Sequence, residues 1–102
     1  MAQHGMKLSG VFSPVVTPFA GDELALDDLR FNLRKCAATS LTGYLALGSN
    51  GEFKSLSTVE EMRVLEVFAE EKGDKVVMVG AGCESTRETI EKSKTAARIG
   101  FD

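Results

Sequence analysis

Leu47-Gly48-Ser49-Asn50-Gly51-Glu52-Phe53 is the stretch on which the reading of this chain turns. A short apolar run, Tyr44-Leu45-Ala46-Leu47, precedes it, and Ser57-Thr58-Val59-Glu60 follows. The pattern is a buried strand, a loop with two glycines around two small polar residues, and then a helix. Glycines let the backbone turn sharply and approach a ligand closely. Successive N–H groups in such a turn form a concave anion site, to which the Ser49 hydroxyl and the Asn50 amide add side-chain hydrogen bonds. A carboxylate or a phosphate is the natural guest. The alternative is a tight turn whose polar residues satisfy only their own backbone.

Moving outward, the same unit recurs. Gly10 to Phe19, rich in β-branched and aromatic residues, reads as a strand that either bends or bulges at Pro14 or starts only after it, because proline donates no ladder hydrogen bond. Gly21-Asp22 turns the chain. A helix follows, capped by Asp27, with Leu26, Leu29, Leu33, Cys36 and Ala37 on one stripe. Cys36 there is a small core residue. After the central loop, Ser57 and Glu60 form a capping box. Met62, Leu65 and Phe68 make a buried stripe, and Glu60, Glu61, Glu66, Glu70 and Glu71 a solvated face. Lys75 to Gly80 is a third strand, and Gly80-Ala81-Gly82-Cys83-Glu84 a second glycine-rich turn. A second capping box, Ser85 to Glu88, opens a helix with Ile90, Ala97 and Ile99 on its inner side. Gly100-Phe101-Asp102 resembles the entry to another strand.

The strands begin near Gly10, Gly43 and Lys75, at steps of 33 and 32 residues. Strands that are apolar throughout imply a parallel sheet covered by helices. Two architectures fit, a doubly wound sheet and a (β/α) barrel, and both bind ligands at the carboxyl ends of the strands. Thr17, Ser49, Asn50 and Cys83 fall at those ends. Gly80-Ala81-Gly82 hints at a dinucleotide-binding fingerprint, but Ser85 stands where the third glycine belongs. There is no Gly-Lys-Ser or Gly-Lys-Thr phosphate loop.

Composition narrows the function. The 102 residues are 43% hydrophobic and 26% charged, as in an ordinary globular protein. A net charge of -3 gives no reason to expect nucleic acid. No apolar run approaches the roughly 20 residues of a membrane span. Cys36 and Cys83 do not suggest a disulfide framework, and the only histidine, His4, makes a metal site unexpected. Residues 1–9 read as a leader and 10–102 as the folded part, in a cytoplasmic protein without cofactor.

Gly10-Val11-Phe12 through Thr17-Pro18-Phe19, then Gly48-Ser49-Asn50-Gly51-Glu52, then Gly80-Ala81-Gly82 with Ser85-Thr86 and Glu88, resemble in order and spacing the N-terminal part of the dihydrodipicolinate synthase / N-acetylneuraminate lyase family. The resemblance runs from residue 10 onward, and the Gly-x-x-Gly-Glu loop is its specific part. It implies a (β/α)8 barrel, of which this chain covers about the first three βα units, since such a barrel needs about 250 residues. It also implies a homotetramer and a lysine Schiff base with pyruvate or a related 2-oxo acid, for aldol addition to an aldehyde or cleavage.

Within the family the synthases carry two threonines between the glycines. Ser49-Asn50 here resembles the 4-hydroxy-2-oxoglutarate aldolase branch more closely, although a 4-hydroxy-tetrahydrodipicolinate synthase type also fits. The resemblance makes Ser49 the catalytic, proton-relaying residue. Gly48, Ser49, Asn50 and Gly51 become the substrate-binding residues, with Thr17 and Glu52 supporting and Glu52 anchoring the loop. Thr58 and Glu61 stand where lysine-responsive synthases carry histidines, against lysine feedback. The Schiff-base lysine and catalytic tyrosine of the family belong to later strands. The seven lysines here lie in helices, loops or, for Lys75, at the amino end of a strand. A non-catalytic, self-assembling partial barrel is the competing class; in a partial barrel the barrel-facing sides expected for Val15, Leu45, Leu47, Val77 and Val79 lack their opposing layer.

Overall fold

The computed structural model describes residues 9–52, 55–82 and 85–101. Three parallel strands form its sheet: β1 (Phe12–Pro14), β4 (Gly43–Ala46) and β5 (Val76–Val79), in the order β1-β4-β5. Phe12 aligns with Gly43, and Gly43 with Val76. A two-residue hairpin, β2 (Phe19–Ala20) and β3 (Glu23–Leu24), turns at Gly21-Asp22. Helix α1 (Leu26–Ala37) links β3 to β4, and α2 (Thr58–Glu71) links β4 to β5. Helix α3 (Thr86–Ile99) follows β5.

The first strand is shorter than its composition predicts. The ladder runs from Phe12 to Pro14, with one further bond from Val15 N–H to the Leu45 carbonyl. The strand therefore ends at Pro14 rather than starting after it, and Phe19 pairs locally with Leu24 in a hairpin rather than extending the sheet. The N-cap of helix α1 is Ala25, which makes no side-chain capping bond. Asp27, the expected cap, sits in the first turn and pairs with Arg30 at 3.0 Å. Its carboxylate still favours the positive end of the helix dipole.

One core seals the sheet against the helices. Leu29 and Leu33 come from α1, Val64, Leu65, Val67 and Phe68 from α2, and Ala96 from α3, and they pack on Tyr44, Ala46 and Val77. Leu26 and Cys36 join its margin, whereas Ala37 is exposed. Tyr44 is wholly buried. Its hydroxyl donates to the Leu33 carbonyl at 3.3 Å, and its ring meets Phe68 edge-on with centroids 6.0 Å apart. Burial pushes the phenol above its ordinary pKa.

The Ser57–Glu60 capping box is complete, with Glu60 N–H on Ser57 Oγ at 3.2 Å and Ser57 N–H on Glu60 Oε1 at 2.8 Å. At Ser85 only half of the expected box forms. Ser85 Oγ accepts from Glu88 N–H, but the Glu88 carboxylate accepts from that same hydroxyl. Glu61 is not on a solvated face. It is buried and pairs with Lys92 of α3 at 2.9 Å. Glu70 and Glu71 pair with Arg30 and Arg34 of α1. On α3 the inward residues are Ala96 and Ile99; Ile90 and Ala97 are exposed.

The register also assigns the two faces of the sheet. Tyr44 lies against the helices and aligns with Val77, so Ser13, Val15, Ala46, Val77 and Val79 share that side. The opposite face carries Phe12, Pro14, Leu45, Val76 and Met78. The expectation that Val15, Leu45, Leu47, Val77 and Val79 face the barrel interior is therefore corrected for all but Leu45. Val15, Leu47 and Val77 are buried in the core and Val79 packs against it, whereas Leu45 aligns with Pro14 and Met78 on the inner face. Met78 remains 37% exposed. With two open strand edges and an apolar inner face, the 102-residue polypeptide alone is expected to self-associate. Light scattering should show species larger than its 11.0 kDa monomer, and Met78→Lys should shift them toward monomer. A sharply melting wild-type monomer would overturn this expectation.

Candidate active site

The carboxyl ends of β1, β4 and β5 lie side by side, and the segments that leave them touch. After β4, Leu47 takes a left-handed conformation, φ 59°, although it is buried. Residues Ser49–Gly51 form one 3-10 turn, closed by Gly51 N–H on the Gly48 carbonyl at 3.0 Å. Glu52 ends it, also left-handed at φ 56°, with its N–H on the Ser49 carbonyl and its carbonyl accepting from Ser55 N–H. Non-glycine residues in this region are uncommon and cost of order 1–3 kcal/mol each. Two of them bracket the same turn.

The turn is held from both neighbouring strands. On the β1 side, buried Thr17 donates from Oγ1 to the Gly51 carbonyl at 2.7 Å. On the β5 side, Gly80 N–H donates to the Ala46 carbonyl at 2.8 Å. The first N–H groups of a 3-10 turn have no carbonyl within the turn to pair with, and here these belong to Ser49 and Asn50. Gly51 N–H, by contrast, is spent inside the turn. Ser49 is exposed, so its side chain is reachable from solvent.

The structure thus brings together Thr17, Gly48, Ser49, Gly51 and Glu52, and places the backbone of Asn50 in the same turn. The Asn50 side chain lies outside the described residues, as do Phe53, Cys83 and residues 1–8. Glu52 is exposed, and the anchoring it displays runs through its backbone. Lys75 is at the opposite end of the sheet, where its ammonium bonds the Thr39 and Leu41 carbonyls at 2.9 and 2.6 Å. Tyr44 is consumed by the core. A cavity of about 180 Å³ between α2 and α3, lined by Leu47, Met62, Leu65, Val79 and the Glu61–Lys92 pair, lies on the helix side of the sheet, away from the Ser49 hydroxyl. Among the described residues no group of His, Cys, Asp and Glu is placed to hold a metal ion, and no helix is long and apolar enough to cross a membrane. Sequence reasoning missed the strained Leu47 and the role of Gly80; the available signal was a glycine directly after a strand.

The sequence model of the dihydrodipicolinate synthetase family matches residues 7–102. The 4-hydroxy-tetrahydrodipicolinate synthase of Methanopyrus kandleri is 36% identical over 101 residues, covering 96% of this chain and 34% of that protein. A crystal structure of a dihydrodipicolinate synthase superposes with a TM-score of 0.85 at 33% identity, over 92% of this chain and 33% of that one. The Acinetobacter baumannii dihydrodipicolinate synthase complexed with pyruvate gives 0.89 at 26% identity, over 94% and 34%. The chain spans about a third of the length of the relatives it matches. Strand order alone fits either a barrel or half of a doubly wound sheet; the superpositions decide for the first three βα units of a (β/α)8 barrel.

The Thr17 bond is open to test. Thr17→Val leaves the buried Gly51 carbonyl without its donor, and should cost about 1–3 kcal/mol in urea unfolding, with Thr17→Ser retaining most of the stability. An unchanged midpoint for Thr17→Val would show that Thr17 does not hold the turn.

Proposed function

The chain belongs to the dihydrodipicolinate synthetase family, and on that premise we propose that it supplies the 2-oxo-acid seat of a class I aldolase or lyase. The observation that carries the reading is the turn Ser49–Gly51 at the carboxyl end of the parallel strands, its first N–H groups not used within the turn, with Ser49 exposed and the far end pinned by Thr17. A related barrel crystallised with pyruvate supports that substrate class.

In this mechanism a lysine amine, contributed by a strand beyond the three described, attacks the ketone of pyruvate. Water leaves and an iminium forms. The iminium accepts the electron pair when a proton or a carbon–carbon bond at the adjacent carbon is broken, so the resulting enamine adds to an aldehyde or, in reverse, is released from one. The Gly48–Gly51 loop receives the carboxylate through the backbone N–H groups of Ser49 and Asn50 and the Ser49 hydroxyl, with the Asn50 side chain assigned to the same seat. This fixes the ketone relative to the amine, an orientation effect. Ser49 also passes a proton. Ser49-Asn50 favours a 4-hydroxy-2-oxoglutarate aldolase, and the names of the relatives favour a 4-hydroxy-tetrahydrodipicolinate synthase. The complete enzyme would be a cytoplasmic homotetramer needing no cofactor, and this segment alone would be inactive. The uncovered inner sheet face keeps the non-catalytic, self-assembling barrel as the second reading.

In the full-length polypeptide that carries this segment, borohydride reduction with pyruvate should add one pyruvate-derived mass to a lysine beyond residue 102. No adduct would argue for the non-catalytic reading. Ser49→Ala should lower kcat by about 10²- to 10⁴-fold with a small change in KM if the hydroxyl relays a proton. A change confined to KM would reduce Ser49 to a carboxylate donor.

A further inference from the structure

We infer that Gly80 is a positioning residue for the substrate turn, acting through the carbonyl of Leu47; the inference rests on the 2-oxo-acid reading of that turn for its functional consequence, and on packing alone for its structural one. A Cβ added at Gly80 would lie 2.4 Å from the Leu47 oxygen, 3.1 Å from its carbonyl carbon and 3.5 Å from the Ala46 oxygen. All three are backbone atoms in the sheet ladder or directly after it, so none swings aside as a flexible side chain can. Gly80 N–H holds the Ala46 carbonyl at 2.8 Å, so the strand end cannot retreat without losing that bond.

The Leu47 carbonyl belongs to the peptide group that leads into the turn. Leu47 is held left-handed and is only 3% exposed. Rotating its carbonyl away from a new methyl group turns the Leu47–Gly48 peptide. That moves the Gly48 carbonyl that closes the turn and the N–H groups of Ser49 and Asn50 behind it. Thr17 fixes the other end of the turn at Gly51, so the displacement falls on the substrate-facing residues. Gly80 therefore serves close approach, and does so for a loop of a different strand.

Gly82 provides an internal control. It lies two residues away in the same glycine-rich segment, and among the described residues a Cβ there would meet nothing within 4 Å. In a polypeptide carrying this chain with its remaining barrel units, Gly80→Ala should raise amide exchange over residues 44–52, read by mass spectrometry without substrate, while Gly82→Ala leaves it unchanged. With pyruvate and borohydride, Gly80→Ala should need at least tenfold more pyruvate for half-maximal adduct, with the yield at saturation within about threefold of wild type; Gly82→Ala should stay within twofold on both. Wild-type exchange in Gly80→Ala, or equal loss in both variants, overturns the inference. If wild type forms no adduct, the Schiff-base reading has failed and the exchange measurement alone judges the contact. Should Gly80→Ala not fold, the double change Leu47→Gly with Gly80→Ala frees the carbonyl to rotate; a folded double variant with wild-type exchange over residues 44–52 would also overturn the inference.

Discussion

The buried hydroxyl of Tyr44 is the contact on which the layering of this chain depends. A phenol taken out of water needs a partner, or it costs several kcal/mol. It finds one in the Leu33 carbonyl of α1, while its ring packs edge-on against Phe68 of α2. One side chain of the central strand thus ties both flanking helices to the sheet. Because β4 is paired on both sides, its position also sets the register of β1 and β5. The turn that follows β4 inherits its place from that register.

The turn itself is built against local preference. Leu47 and Glu52 occupy a region that ordinary residues avoid, Leu47 buried in the core and Glu52 held by backbone bonds to Ser49 and Ser55. The Thr17 hydroxyl and the bare backbone of Gly80 come from loops that follow two other strands. A short loop held this way presents its N–H groups in one orientation before any ligand arrives, so less ordering is left for binding to impose.

Charge between the helices contributes in a graded way. Arg30–Glu70 and Arg34–Glu71 join α1 to α2 at the surface, where such pairs are worth little. The Glu71 carboxyl is held below its ordinary pKa, first by the hydrogen bond from Arg34. Its contribution is therefore present above the ordinary carboxylate range and fades as acid protonates it. Glu61–Lys92 between α2 and α3 is more secluded, with side chains 9% and 27% exposed. Losing one partner there leaves a largely desolvated charge, which is where ion pairs matter most.

The sequence by itself determined the repeat of strand, loop and helix, because apolar runs, capping serines and glycine breaks are local signals. Ser57 with Glu60, the apolar run at Val76 to Val79 and the glycine-flanked loop at Ser49 were all legible on that ground. Their order and spacing also pointed to the family. What only the tertiary structure decided depends on partners distant in the chain. Glu61 is read as solvated until Lys92, 31 residues later, meets it. Val77 is assigned to the wrong face until pairing with Tyr44 sets its side, since period-two alternation names two faces without saying which is covered. Asp27 is a good cap by type, but the chain leaving the hairpin places Ala25 at the N-cap, its N–H on the Pro18 carbonyl. Gly80 is only a turn residue until the backbone of another loop is seen within reach of the Cβ it lacks.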